Sequence, residues 1–295
     1  MNKGVLYSLI AYVMWGLFPI YWKWLGGVPA LEILSHRMAW SLVFVALLLI
    51  LKKSRLLSAL RRNPRQAAIF LATAAILSVN WGLYIWAVQT NRVVDASLGY
   101  FINPLVNVVF GVFFLGERLR PAHWAAVSLA AAGVAWLALQ SGGLPWLALA
   151  LALSFATYGL LRKIAPLNSL EGLAVETSLL LPFALGYIFF LESGGAGSFL
   201  HGGLWTTLLL ILAGPVTALP LLFFAAGARR IPYSQLAFIQ YLSPTLQFLL
   251  GAFLYREPLS VERLTGFGLV WLATAVYVGV ECRRTRCCPA AVAAS

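Results

Sequence analysis

The stretch YFINPLVNVVFGVFFLGERL, Tyr100–Leu119, returns 140 positions later as QYLSPTLQFLLGAFLYREPL, Gln240–Leu259. Pro104, Gly111, Glu117 and Leu119 each meet the same residue type at Pro244, Gly251, Glu257 and Leu259. A second match joins Leu31-Glu32 through Arg37 to Leu170-Glu171 through Glu176, 139 positions on, and Phe44 to Phe183. Trp15-Gly16 and Tyr158-Gly159 correspond more weakly. The chain is therefore read as two copies of one unit.

Composition says what kind of unit. Of the 295 residues, 61% are hydrophobic and only 10% charged, with a mean hydropathy of +0.87. Soluble proteins run at about 45–50% apolar and about 25% charged, so a water-soluble enzyme, a disordered chain and a disulfide scaffold are excluded. A helix crossing a ~30 Å hydrocarbon core needs about 20 apolar residues. Ten such spans are expected: Gly4–Trp24, Glu32–Leu51, Ala67–Thr90, Asp95–Leu115, His123–Gln140, Leu144–Leu161, Glu171–Leu191, Leu204–Gly227, Pro232–Tyr255 and Thr265–Glu281. The runs are continuous and too long for the ~10-residue alternating strands of a membrane β-barrel. The first is too long and too aromatic for a cleaved signal peptide.

The net charge of +12 is read as an orientation signal rather than a nucleic-acid footprint. With the N-terminus inside, the inner segments hold about 16 Lys and Arg residues against four outside, Lys23, Arg92, Arg256 and Arg263, while Arg37 lies within a span. Both termini are then cytoplasmic, and Arg162 and Lys163 count among the inner-loop charges. Cys282, Cys287 and Cys288 are expected in the cytoplasmic tail, with no zinc-ligand spacing and no disulfide. The expected organisation is all-α and polytopic, with ten transmembrane helices in two five-helix repeats, 1–141 and 142–284, and a tail 285–295. Because five is odd, the second copy enters the membrane inverted, the architecture of secondary transporters whose site lies near the bilayer midplane.

An ionisable side chain at a span centre costs about 2.5–3.5 kcal/mol, so each one asks for a reason. Arg37 and Glu176 are repeat-equivalent and should sit near opposite faces, too far apart to pair. Two readings stand: each lines or gates the vestibule on its own side, or each snorkels to the interface. His36 is either a proton carrier or a hydrogen-bonded packing residue, and Asp95 is expected to cap the fourth helix. Asn80, Trp81 and Tyr84 fall midway along span three. Asn103 and Asn107 share a face at i and i+4, as do Gln240 and Gln247 with Tyr241 and Ser243 beside them. Pro104 and Pro244 each free a carbonyl inside repeat-related helices, and interruptions at matched positions point to a binding site. Trp15, Tyr12 and Tyr158 are candidates for aromatic walls.

These residues also carry a resemblance. Ser35-His36-Arg37 with Trp40-Ser41, Asn80-Trp81-Gly82-Leu83-Tyr84-Ile85-Trp86, Ala96 through Leu105, Gly116-Glu117-Arg118-Leu119, Tyr158 through Lys163, and Gln240-Tyr241 with Pro244-Thr245-Leu246-Gln247-Phe248 are similar to motifs of RarD-type permeases. Those permeases form part of the EamA branch of the drug/metabolite transporter superfamily. The likeness runs from about Lys3 to Arg284. It implies a central cavity lined mainly by spans 1, 3, 4, 6, 8 and 9, with spans 5 and 10 peripheral. Relatives in the superfamily move amino acids, nucleobase-like metabolites, sugar phosphates or drugs.

The expected function is that of an inner-membrane permease for a small organic solute. Trp15, Arg37, Asn80, Trp81, Tyr84, Asn103, Asn107, Tyr158, Gln240, Tyr241 and Gln247 are its candidate binding residues, and His36, Arg37 and Glu176 its candidate gating or proton-coupling residues. The sequence holds no phosphate-cradling Gly-x-x-x-x-Gly-Lys loop. The alternatives are an intramembrane enzyme acting on lipid or peptide and a non-transporting membrane scaffold. The enzyme would need a nucleophile with a base, paired carboxylates or a metal set, and neither Gly-x-Ser-x-Gly nor His-Glu-x-x-His is present. For the scaffold, loops this short offer little docking surface. Neither a cofactor nor a metal is expected. The partners are the solute and the bilayer, with the pathway inside one chain and no nucleic acid.

Overall fold

The computed structural model describes residues 2–53, 64–89, 93–139, 146–254 and 261–287, all helical apart from short connections. In chain order the helices are α1 (Lys3–Trp24), α2 (Ala30–Leu51), α3 (Pro64–Gln89), α4 (Val93–Leu115), α5 (Pro121–Leu139), α6 (Trp146–Ile164) and α7 (Ser169–Ser193). There follow a short α8 (Ser198–His201), α9 (Gly203–Ala228), α10 (Tyr233–Gln240), α11 (Leu242–Leu249) with a π-helical turn over Leu250–Leu254, and α12 (Val261–Cys287).

Local chemistry explains several starts. Asn2 accepts from the Gly4 N–H at 2.8 Å, and Asn168 accepts from those of Leu170 and Glu171, both at 3.0 Å, satisfying donors that have no partner within the helix. Pro64 and Pro121 open α3 and α5, where the missing proline N–H is no loss.

Among the described residues six helices are long and apolar enough to cross a membrane, namely α1, α2, α5, α6, α7 and α9. Helices α3, α4 and α12 add the apolar stretches Ala68–Tyr84, Gly99–Leu115 and Leu264–Val280. The perimeter is greasy: Phe113, Phe183, Phe189 and Phe253 are each at least 75% exposed. Arg162, Glu176, Asn103, Asn107 and Gln240 are buried instead. Large aromatic side chains exposed around a polar interior are arranged for lipid rather than water. The protein is a multi-pass membrane protein.

Packing partners recur when the two halves are exchanged. Helix α1 lies on α9 as α6 lies on α3, and α2 lies on α9 as α7 lies on α3. Helix α4 lies on α6 as α11 lies on α1, while α2 meets α7, α4 meets α10 and α5 meets α12 across the halves. Glycines bring these helices close. A Cβ on Gly214 would stand 2.3 Å from the Trp40 carbonyl carbon, and one on Gly227 2.3 Å from the Ser8 hydroxyl. Close backbone approach through small residues is how membrane helices gain packing without a hydrophobic drive.

Three expectations are corrected. The matched interruptions at Pro104 and Pro244 occur on one side only: α4 runs unbroken through Pro104, whereas the repeat-related helix breaks at Tyr241. Pro244 cannot donate to the Gln240 carbonyl and its ring crowds that oxygen, so the chain ends one helix at Gln240 and starts the next at Leu242. The last helix continues to Cys287, past Glu281, so Cys282 and Cys287 stand on α12 rather than in a tail beyond it; Cys288 lies outside the described residues. Helix α4 begins at Val93, which places Asp95 within its first turn instead of at the cap, and the Asp95 side chain lies outside the described residues.

Candidate functional site

A cavity of about 180 Å³ lies between the halves. From the first half come Tyr12, Trp15, Phe18, Pro19 and Trp22 of α1, Arg37 of α2, Asn80, Trp81 and Tyr84 of α3, and Tyr100 of α4. From the second come Phe155 of α6, Thr217 and Leu221 of α9, Gln240 of α10, and Ser243, Pro244 and Gln247 of α11. Helices α5 and α12 contribute nothing to the wall, while α2 supplies its one charged residue.

Arg37 sits two turns into α2. Its Nε donates to the Thr217 hydroxyl across the halves at 2.8 Å. Its guanidinium carbon lies 4.8 Å from the ring centre of Trp22 and 5.2 Å from that of Trp81. Cation–π contacts are worth about 0.5–2 kcal/mol each, most when desolvated, and so offset part of the cost of a charge at this depth. Among the described residues no carboxylate lies within ion-pairing distance of Arg37.

Behind the wall the amides form a cross-half knot. Gln240 Oε1 accepts from Asn107 at 2.8 Å and from the Tyr12 hydroxyl at 3.3 Å. Gln240 Nε2 donates to Asn103 Oδ1 at 2.5 Å, which also accepts from Asn107 at 3.2 Å. Asn103 Nδ2 in turn donates to the Ala152 carbonyl at 2.7 Å. Asn80 donates to the Leu151 carbonyl at 3.0 Å and the Ser154 hydroxyl at 2.8 Å. Gln247 donates to the Trp15 carbonyl at 3.1 Å. These bonds hold α4, α6, α10 and α1 in register behind the cavity.

The end of the bundle where α1 starts and α9 finishes is closed. Tyr158, Phe224, Tyr233, Leu236 and Ala228 pack there with at most 1% exposure. Arg162 Nη1 and Glu176 Oε1 are 3.7 Å apart with 2% and 0% exposure. Arg162 Nη2 also donates to the Ser169 carbonyl at 2.8 Å, and the Tyr158 hydroxyl donates to Glu176 Oε2 at 3.3 Å. Beside them the repeat motif acquires a job. Gly116 adopts φ +64°, a left-handed turn that glycine makes at no steric cost, and the Glu117 N–H returns to the Gly111 carbonyl at 2.9 Å. The Glu117 carboxylate then accepts from the Tyr233 N–H, and from the N–H and hydroxyl of Ser234 at 2.9 and 2.7 Å. It caps α10 from the other half, and Gly111 leaves the room: a Cβ there would stand 2.7 Å from Glu117 Oε2.

Of the candidates read from sequence, Trp15, Arg37, Asn80, Trp81, Tyr84, Gln240 and Gln247 meet on the cavity wall. Asn103 and Asn107 stand behind Gln240 rather than facing the cavity. Tyr158 and Glu176 belong to the closed end. Tyr241 is buried at the helix break and its hydroxyl reaches the Phe101 carbonyl at 3.5 Å. His36 turns from the cavity and stacks on Phe199, ring centres 4.8 Å apart. Arg37 and Glu176 do not pair; each has a different partner. Arg162, counted in sequence among loop charges, is instead a buried partner for Glu176. Its signal was position: it stands four residues after Tyr158, on the same helical face. Thr217 was also missed, although a hydroxyl between Pro215 and Pro220 in an apolar span marks the same locally loosened backbone that was sought elsewhere.

The family model described as the EamA-like transporter family matches the chain twice, over residues 2–139 and 144–279. Among curated proteins, "Protein RarD" of Streptomyces exfoliatus is 47% identical over 97% of this chain and 91% of its own length. "Uncharacterized transporter YojE" of Bacillus subtilis is 46% identical over 94% of this chain and 93% of its own. A solved crystal structure superposes over 95% of this chain and 98% of its own with a TM-score of 0.72 at 20% identity, a likeness of fold.

Proposed function

The chain belongs to the EamA-like transporter family, and from that premise we propose that it is a secondary transporter carrying a small organic solute by alternating access, without covalent chemistry. In this reading ten spans form two inverted five-helix repeats, α10 and α11 together making the ninth. Both termini face the cytoplasm, and the membrane is the bacterial inner membrane. The double family match, the exchange symmetry of the packing and the Lys and Arg bias support that arrangement.

One observation carries the functional reading: a cavity whose wall is built from both matched halves, with Phe18, Pro19 and Trp22 lining it toward the end where α1 finishes and dense packing toward the other. Rocking one half against the other would close the first end and open the second around the same wall residues. Arg37, Asn80, Trp81, Tyr84, Gln240 and Gln247 are assigned to solute contact, and the Arg162–Glu176–Tyr158 cluster with the Glu117 cap to the closed gate. The orientation places the cavity toward the outer face.

The test is counterflow in liposomes. Purified full-length protein, loaded on the inside with an unlabelled solute that stabilises it against heat, should accumulate the labelled solute from outside without ATP. A solute that binds at the cavity yet never exchanges would overturn the reading. A reporter fused at each terminus checks the orientation, and an extracellular signal at either end would refute it.

A further inference from the structure

Resting on the permease reading, we propose that the solute is a small organic anion with an aromatic body, its carboxylate, sulfonate or phosphate group held by Arg37. Among the described residues the cavity wall carries one charge, Arg37, and no acidic residue. The protein knows how to neutralise a buried guanidinium: it gives Arg162 the Glu176 carboxylate. At Arg37, among the described residues, the partners are the Thr217 hydroxyl and two indole faces, with no carboxylate.

The geometry sets how the anion binds. Thr217 occupies Nε alone, and a guanidinium has five donors in a fixed fork. The guanidinium carbon lies over both indole rings, and the N–H donors other than Nε make no hydrogen bond to a described side chain, so they are available to a planar oxyanion, which a guanidinium binds two-pronged. Tyr84 and Tyr100 line the same cavity. Trp15, Trp81 and Phe155 supply flat apolar walls. A cavity near 150 Å³ accepts benzene, so about 180 Å³ suits one ring with a short acid group. A cationic solute would face Arg37 with no counter-charge on the wall.

The experiment compares four probes sharing one ring: phenylacetate, benzenesulfonate, neutral 2-phenylethanol and cationic phenethylamine. Thermal unfolding of the purified full chain in detergent is followed for wild type, Arg37→Gln, Arg37→Lys and Thr217→Val. The two anions should raise the unfolding temperature of wild type and the other two should not. Arg37→Gln should weaken the anion response by about thirtyfold or more, as loss of a buried charge partner does. Arg37→Lys keeps the charge without the fork and should retain part of it, which also reports on the charge if Arg37→Gln fails to fold. Phenylacetate and benzenesulfonate separate carboxylate from sulfonate preference. Equal responses to phenylethanol or phenethylamine, an unchanged anion response in Arg37→Gln, or no response to any aromatic acid overturns the assignment. Counterflow of a neutral or cationic solute would overturn it while leaving the permease reading intact. Anion binding without exchange would do the reverse.

Discussion

Removing either member of the Arg162–Glu176 pair should destabilise the protein, and removing Glu176 should hurt more. Both side chains are at most 2% exposed, so solvent screens neither. Breaking one partner of a buried pair costs about 3–5 kcal/mol. The ions are 3.7 Å apart, beyond hydrogen-bond reach, which places the loss near the lower end, about 3 kcal/mol. The two single variants are not equivalent. In Arg162→Leu the orphaned carboxyl can take up a proton and keep its bond from Tyr158. In Glu176→Leu the guanidinium cannot lose its charge and retains neutral partners alone, the Ser169 carbonyl, the Tyr158 hydroxyl and the Phe70 ring, 5.7 Å away. The second loss should therefore exceed the first by about 1 kcal/mol. The double variant, with both charges gone and the volume refilled, should return to within about 1 kcal/mol of wild type. Equilibrium unfolding by SDS titration in mixed micelles reads all four states. A double variant as damaged as the sum of the singles, or a Glu176→Leu loss below about 1 kcal/mol, would refute a neutralising pair.

Gly214→Ala should force α2 and α9 apart, because the added methyl would meet the Trp40 backbone at 2.3 Å; a loss of about 1–3 kcal/mol by the same titration is expected. Glu117→Gln keeps an acceptor but removes the charge that caps α10, so unfolding should become easier by about 1 kcal/mol, and Glu117→Ala should cost more. An unchanged Glu117→Ala would deny the cap any weight. Gln240→Leu leaves Asn107, Asn103 and Tyr12 with unmet polar groups and should cost about 1–3 kcal/mol, seen as a lower unfolding temperature without solute.

How much of this was legible beforehand follows from which forces write themselves into local sequence. The spans are, because lipid imposes long apolar runs, and α1, α2, α7 and α9 begin and end within a few residues of expectation. The repeat is, because its fixed points are chemically distinctive: Gly111 and Glu117 recur at Gly251 and Glu257, and in the first copy the glycine leaves room for the carboxylate. Arg37 stood out because an intramembrane charge is expensive wherever it lies. Arg162 was hidden by proximity to a span end, where a loop cation and a buried one look alike until Glu176 is placed beside it. The division of the amides into wall and backing was also out of reach. Asn103 and Gln240 are both polar and mid-span in repeat-related helices, and only the packing of α10 on α4 decides which one faces open space. The break at Tyr241 depends likewise on context, since Pro104 in the same repeat position leaves its helix whole.

That break has a mechanical meaning. Helix α10 is tied to α4 by the amide knot and capped by Glu117, while α11 rests on α1, where Leu246 stands 2.7 Å from where a Gly16 Cβ would lie. The eight residues of α11 make a rigid arm of about 12 Å. Pivoting that arm by about 20° at Tyr241 would carry its far end roughly 4 Å, stretching the Gln247–Trp15 bond while the bonds of Gln240 to Asn103, Asn107 and Tyr12 stay in place. The wall residues Ser243 and Gln247 ride on the arm and Gln240 on the mount. One side of the chamber can thus be reshaped while the other stays anchored, and the unbroken α4 opposite offers no such joint.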